Sequence, residues 1–456
     1  MTEFSKLTLI EPLRHALTEA GYAEMTPIQE ASLPAILARR DVVAQARTGS
    51  GKTAAFALGL LSSLDSTAVR LQGLVLCPTR ELADQVSREI RKLARFIPNV
   101  KVLTLCGGVP LRPHLASLTH EPHIVVGTPG RILELIERQA LPLQAVKVLV
   151  LDEADRMLDM GFSEAIGAII QTMPKQRQTL LFSATIPQSV REISREFQRE
   201  ALDITIPNEP DDTSIEQIFF EVAPESKLYA LESLLLKYRP ESAVVFCNTR
   251  QEVRAVAEDL FKCGFSVLAL HGDLDQRARE EMLVRFSNRS CTILVASDVA
   301  ARGLDIADLA MVINFDIASD ADTHLHRIGR TGRAGRRGVA LSLCSPRESN
   351  RARVIEDRLS ETLTWGALPS ESNAEPWPAP FVTLAIDAGR QDKLRPGDLL
   401  GALTGDAGLP GTSVGKIDVF PTRTYVAIER AAHVKAIQRL RTGKIKGRTF
   451  RIRKIG

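Results

Sequence analysis

Asp41-Val42-Val43-Ala44-Gln45-Ala46-Arg47-Thr48-Gly49-Ser50-Gly51-Lys52-Thr53 carries a short apolar run into a glycine-containing loop, and a helical segment follows. The phosphate-loop pattern is G-x-x-x-x-G-K-[ST], and here Ala46 stands at the first glycine. The physical requirements are still met. Gly49 and Gly51 let backbone N–H groups reach phosphate oxygens with no Cβ in the way. The helix that follows turns its positive end toward the anion. Lys52 neutralises the β- and γ-phosphates, and the Thr53 hydroxyl is suited to Mg²⁺. A glycine-rich turn with a chance lysine is the plainer alternative. The strand–loop–helix context weighs against it. The stretch Ala46, Arg47, Thr48, Gly49, Ser50, Gly51, Lys52 and Thr53 is therefore expected to cradle a nucleotide.

The same βα rhythm continues for the first 365 residues. Strands are expected at Asp41–Ala46, Gly73–Cys77, Val100–Cys106, His123–Gly127, Val146–Leu151 and Gln178–Phe182. A second series is Ala243–Cys247, Ser266–Leu270, Cys291–Ala296, Met311–Phe315 and Val339–Cys344. Such near-continuous apolar strands imply parallel sheets covered on both faces. Pro207–Ser214 reads as a hinge linker between the two series, and Gly366–Pro380 reads as a second break. Beyond it the order β, α, β, β, α, β fits a small α+β fold of the ferredoxin or RNA-recognition-motif (RRM) kind. The expected domains are 1–207, 215–365 and 381–456.

Charge is divided unevenly. The whole chain of 456 residues has a net charge of +3, yet residues 381–456 hold fifteen Lys/Arg against six Asp/Glu. A basic module on a mildly acidic body points to a polyanion partner. No apolar run is long enough to span a bilayer, and the N-terminus lacks a secretion-signal pattern, so a cytoplasmic location with no membrane partner is expected. Six scattered cysteines without a C-x-x-C pair read as buried reduced thiols, with no disulfide partner.

Val146–Leu151 delivers Asp152-Glu153-Ala154-Asp155 at a strand's C-terminal end, where open α/β sheets place their ligands. Asp152 suits contact with Mg²⁺. Glu153 is placed to orient and deprotonate an attacking water. An acidic loop alone is weak evidence; paired with the upstream phosphate loop it becomes specific.

Asp-Glu-Ala-Asp is the signature of the DEAD-box RNA helicases, and the chain resembles that family in the order of its other motifs. The resemblance implies two tandem RecA-like parallel-sheet domains, with ATP and Mg²⁺ as cofactors. Thr26-Pro27-Ile28-Gln29 resembles the Q motif, so Thr26 and Gln29 are expected near the adenine, with Phe4 packing on the base. Ser183-Ala184-Thr185 resembles the coupling motif, whose hydroxyls would bond the carboxylates of Asp152 and Asp155. In His326–Arg333 the resemblance makes Arg330 and Arg333 arginine fingers, and Asp305 approaches the ribose. Hydrolysis would then require both domains to act on one ATP.

The family's RNA-contacting segments recur as Pro78-Thr79-Arg80, Gly107-Gly108 and Thr128-Pro129-Gly130-Arg131, followed by Gln276 to Arg279 and Ser297-Asp298. Met25 and Ser297 depart from the usual proline and threonine. The tail, with Arg395-Pro396-Gly397-Asp398 and Gly443-Lys444-Ile445-Lys446-Gly447, resembles the DbpA subfamily of bacterial DEAD-box proteins. That likeness implies an RRM-like domain that binds a hairpin of 23S ribosomal RNA and its adjacent duplex in a large-subunit precursor. Its third strand offers a single aromatic, Tyr425, so phosphate contacts by Lys444, Lys446, Arg448 and Arg451 are expected to lead. The expected activity is ATP-driven local unwinding of structured RNA during 50S assembly, by a monomer. The rival reading is an ATP-gated RNA clamp without productive unwinding.

Overall fold

The computed structural model describes residues 3–46, 49–206, 215–301, 309–332, 337–359, 362–369, 374–405 and 408–455. Arg47, Thr48, the Pro207–Ser214 linker, Asp305 and Arg333 lie outside the described residues. The chain divides into two compact units, one built from the N-terminal residues up to Glu209 and the other from most of the remainder.

Seven parallel strands form the first sheet: β1 Val42–Gln45, β2 Gly73–Leu76, β3 Val102–Leu105, β4 Ile124–Gly127, β5 Val148–Asp152, β6 Gln178–Ser183 and β7 Leu202–Thr205. Their order is β3-β4-β2-β5-β6-β1-β7. Successive side chains in a strand point to opposite faces, and both faces are buried. Val42, Ala44, Val148, Val150, Leu180 and Phe182 join one core, while Val43, Leu149, Leu151 and Leu181 join the other. That double burial is why the central strands β2, β4, β5 and β6 carry near-continuous apolar runs rather than alternating ones.

The second unit holds two sheets. The larger is parallel: β8 Ile215–Glu221, β9 Ala243–Cys247, β10 Val267–Leu270, β11 Ile293–Ser297, β12 Met311–Asn314 and β13 Gly338–Cys344, in the order β10-β11-β9-β12-β13-β8. The smaller is antiparallel: β14 Phe381–Ile386, β15 Val414–Val419, β16 Thr424–Glu429 and β17 Ile452–Ile455, in the order β15-β16-β14-β17. Its first and third strands are central, as the βαββαβ order requires. The fold is thus two RecA-like parallel-sheet domains and a small antiparallel module.

Three expectations change. β7 and β8 are additions to the expected strands. They are edge strands in which exposed polar residues interrupt the apolar run and dilute its signal. The expected last strand, Arg448–Lys454, is reduced to Ile452–Ile455, because Ile445 and Arg448 pair across a tight turn instead. Of the cysteines, Cys263 is exposed, its thiol bonded to Glu232 at 3.0 Å, while the other five are buried.

The stretch before the small module is pinned to the second sheet domain. Trp377 packs edge-on to Phe265 with centroids 6.0 Å apart, and the Arg239 guanidinium lies 5.2 Å from the Trp377 ring. The helix Gln276–Ser287 and the residues after it then meet the open face of the small sheet. Val284 joins Ala385, Tyr425 and Ile455 in one apolar cluster. Thr383 Oγ1 accepts from Asn288 Nδ2 at 2.8 Å and donates to Ser290 Oγ at 2.6 Å.

Candidate ATP site and RNA-facing segments

β5, β6 and β1 are neighbours in the first sheet, so their C-terminal ends bring three motifs together. Beyond β1, Gly51 adopts φ 91° and Gly49 φ 86°, both left-handed. Gly51 is also sterically required, since a Cβ there would meet Gln29 Nε2 at 2.5 Å. The Gln29 amide is buried and holds this loop: Nε2 donates to the Gly51 carbonyl at 3.0 Å, and Oε1 accepts from Thr26 N–H at 2.9 Å. Its part in shaping the phosphate loop is not legible in the sequence. Phe4 is buried in the core edge-on to Tyr22, 6.1 Å between centroids, and a bridge between Glu3 and Glu24 brings its segment beside the Q motif.

Lys52 is buried, and its Nζ donates to the Ala46 carbonyl at 2.7 Å. Ser50 Oγ is buried with no hydrogen-bond partner among the described residues. A loop with an orphan hydroxyl, a buried ammonium and two left-handed glycines is built for an anion. Beyond β5, burial raises Asp152 to about 7, partly offset by Lys52 and reinforced by Glu153 and Asp155. A buried carboxylate kept from ionising is the kind of donor that a hard dication completes. No group of three or more His, Cys, Asp or Glu that could hold a metal occurs among the described residues. The buried Asp152 carboxylate, a hard oxygen donor beside the phosphate loop, fits Mg²⁺ shared with phosphate oxygens and water.

Glu153 sits at φ 53°, ψ 54° and starts the short helix Ala154–Asp159. Its Oε2 accepts from Arg156 Nη1 at 2.8 Å, and both residues are buried. Asp155 is the junction with the coupling motif. Its Oδ2 accepts from Thr185 N–H at 2.9 Å and from Thr185 Oγ1 at 2.8 Å. Ser183 behaves differently from expectation: its hydroxyl accepts from the Asp155 backbone N–H at 3.1 Å rather than bonding a carboxylate. The hydroxyls reach Asp155 but not Asp152.

The expected RNA segments of the first domain also converge, at the ends of β2, β3 and β4. Thr79 caps the helix Arg80–Leu93 by accepting from Leu82 N–H at 3.3 Å. Gly107 N–H donates to Thr128 Oγ1 at 3.1 Å. Gly108, at φ 74°, lies under the Arg80 guanidinium. Pro129 and Gly130 begin the helix Pro129–Glu137. Arg131 is buried rather than displayed. It donates to the Val109 carbonyl at 2.7 Å, contacts His114 and pairs with Glu134 at 3.0 Å.

In the second domain, Gln276 and Arg279 lie on one helix, and Arg279 Nη2 donates to the Ala300 carbonyl at 2.8 Å. Ser297 ends β11 and is buried. The Asp298 carboxylate, expected to face RNA, is held by Arg327 through two bonds of 2.7 Å. Arg330 is buried, its carbonyl accepting from Leu309 N–H at 3.1 Å.

In the small module Lys444, Lys446, Arg448 and Arg451 are all exposed. Lys446 at φ 53° and Gly447 at φ 77° form a two-residue hairpin turn of the kind that needs consecutive left-handed residues. Buried Ile445 fastens its base. Tyr425, in contrast, is only 3% exposed and lies against Val284 and Ile455, so its own ring is not displayed to RNA.

Parallel sheets with this strand-end chemistry define a nucleotide-driven motor core, and comparison with known proteins specifies it. Residues 26–193 match the DEAD/DEAH box helicase family, 226–335 the helicase conserved C-terminal domain and 383–454 the DbpA RNA binding domain. Over 454 residues the chain is 53% identical to the ATP-dependent RNA helicase DbpA of Escherichia coli, covering 99% of each. It is 44% identical to the DEAD-box ATP-dependent RNA helicase CshA of Bacillus cereus, over 78% of this chain and 68% of that one. Among solved structures, S. cerevisiae Dbp5 bound to RNA and ADP BeF3 aligns with a TM-score of 0.73 at 30% identity, over 81% of this chain and 96% of that one. The chain belongs to the DEAD-box ATP-dependent RNA helicases of the DbpA type. It is accordingly an ATP-hydrolysing, RNA-binding enzyme, and the clamp alternative finds no support in these relatives.

Proposed function

We propose that this helicase locally unwinds 23S ribosomal RNA during large-subunit assembly, as a cytoplasmic monomer, with Mg²⁺-ATP as its fuel. The observation that carries the ATP chemistry is the juxtaposition of the phosphate loop, Asp152–Asp155 and Ser183–Thr185 at the ends of three adjacent strands. Lys52 would exchange the Ala46 carbonyl for phosphate oxygens. Thr53 and Asp152 would hold Mg²⁺, which supplies charge neutralisation at the phosphates. Glu153 would orient water and take its proton. Arg330 and Arg333 would stabilise charge as the phosphoryl group leaves. Asp305 would meet the ribose, and Gln29 the adenine while it holds the loop.

RNA that favours the catalytically competent arrangement must speed hydrolysis, because a ligand shifts an equilibrium by its differential affinity. The 23S target follows the whole-length likeness to DbpA and the exposed, preformed basic turn at Lys444–Arg448. The test is ATPase rate against a panel of RNAs with and without large-subunit rRNA hairpins, with displacement of a short duplex strand as second readout. A hairpin-bearing RNA should stimulate most, and a chain lacking residues 370–456 should lose that preference while keeping generic RNA stimulation. Equal stimulation by all RNAs would reject the ribosomal target.

A further inference from the structure

We infer that Arg156 is a positioning residue for hydrolysis, setting the carboxylate of Glu153. The inference rests on the reading of Glu153 as the water-activating group. Asp152, Glu153 and Asp155 put three carboxylates within four residues at one strand end, all of them buried. Mutual repulsion and burial drive such groups to swing apart unless a cation fixes them. The cation that touches Glu153 is Arg156, 2.8 Å from Oε2, and the guanidinium is only 4% exposed. One carboxylate oxygen is thus held, and the other is the one that the proposed role of Glu153 assigns to the attacking water.

Arg156 is itself placed by the coupling motif. Its backbone N–H donates to Asp155 Oδ1 at 3.0 Å, and the other Asp155 oxygen is held by Thr185. The path from Ser183–Thr185 through Asp155 and Arg156 therefore ends on Glu153 Oε2. A shift of the coupling motif moves the guanidinium and re-aims the carboxylate, so the motif's reach extends past Asp155 to the group that meets water.

The test uses the full chain in steady-state, RNA-stimulated ATPase assays, with nucleotide binding and thermal melts alongside. R156Q is expected to lower kcat by about 10²-fold, the scale of a misplaced reacting group, and to leave KM for ATP and ADP affinity unchanged. R156K keeps the charge but sits short of the guanidinium, so its kcat should fall between R156Q and the parent. E153Q/R156Q should be no slower than E153Q, since the residue to be positioned is already disabled. That double variant also removes both buried charges together, which protects folding. A parental kcat in R156Q with E153Q inactive overturns the role of Arg156 alone. So does additivity in the double variant, or a loss divided equally between kcat and ATP binding. Should R156Q fail to fold, a parental kcat in R156K together with a double variant slower than E153Q overturns it. Near-normal hydrolysis by E153Q instead rejects Glu153 as the water-activating group, a separable failure.

Discussion

The two parallel sheets end in opposite ways. At the strand ends of the first, Asp152, Glu153 and Asp155 crowd beside a buried lysine, and burial holds Asp152 up to about 7. At the strand ends of the second, a buried guanidinium, Arg327, is completely satisfied. Its five N–H donors reach Asp298 twice, Asn248, Asn314 and the Asp316 carbonyl, at 2.7–3.3 Å. Asn248, Asn314 and Asp316 are in turn bonded to Ile317, Ser342 and Lys227. Equivalent places in one architecture thus serve two purposes. The first end is held away from its electrostatic optimum, as functional sites tend to be. The second is a closed network that fixes the loops around Ser297 and Arg330.

The contrast predicts substitutions of opposite sign. R327Q should cost the second domain about 3–5 kcal/mol, because it strands the part-buried Asp298 carboxylate and leaves the Asn248 and Asn314 amide oxygens and the Asp316 carbonyl without their donor. Both tryptophans, Trp365 and Trp377, lie in that unit, so urea denaturation followed by their fluorescence reads it directly. A loss under about 1 kcal/mol, the worth of an exposed ion pair, would show the network to be dispensable.

D152N should instead stabilise the first domain by about 2–4 kcal/mol at pH 8 in EDTA without nucleotide. The folded pKa is raised from 3.8 to about 7, so the folded state binds more protons than the unfolded chain between those values. Stability is therefore lost as pH rises through that window, and the gain from D152N should fade toward pH 4. Circular dichroism melts across pH decide it; a destabilised D152N at pH 8 would erase the contrast.

The smallest effect concerns His324, which burial lowers to about 4, with Arg327 adding to the shift. The unfolded imidazole takes up a proton near pH 6.5 that the folded one refuses. The second domain should lose about 2 kcal/mol between pH 7 and 5. H324N should flatten that slope in tryptophan-monitored denaturation. Mild acid would then weaken the second domain while relieving the first.

These sites are unequally legible in the sequence. The phosphate loop, Asp152–Asp155 and the central strands can be read because phosphate chemistry and double burial force unusual residues into fixed order. Arg327 cannot: within His326–Arg333 an arginine looks like surface charge until Asp298 and Asn314 arrive from distant strands. Gln29 likewise shows no sign in sequence that it holds Gly51. Tyr425 misleads in the other direction. Period-two alternation says that it faces away from its own module's core, but not that another domain covers that face.

That covered face changes what kind of appendage the small module is. A module on a flexible leash delivers RNA at an effective concentration that falls as the leash lengthens. Here Trp377 is seated on Phe265, and Thr383 is bonded to Asn288 and Ser290, so the module is a bracket. If the Lys444–Arg448 turn grips an RNA stem, as proposed, that stem would leave the second domain at a set distance and angle. Reach is then a matter of stem length and helical phase, so that inserting base pairs between hairpin and target should modulate activity with the period of an RNA turn.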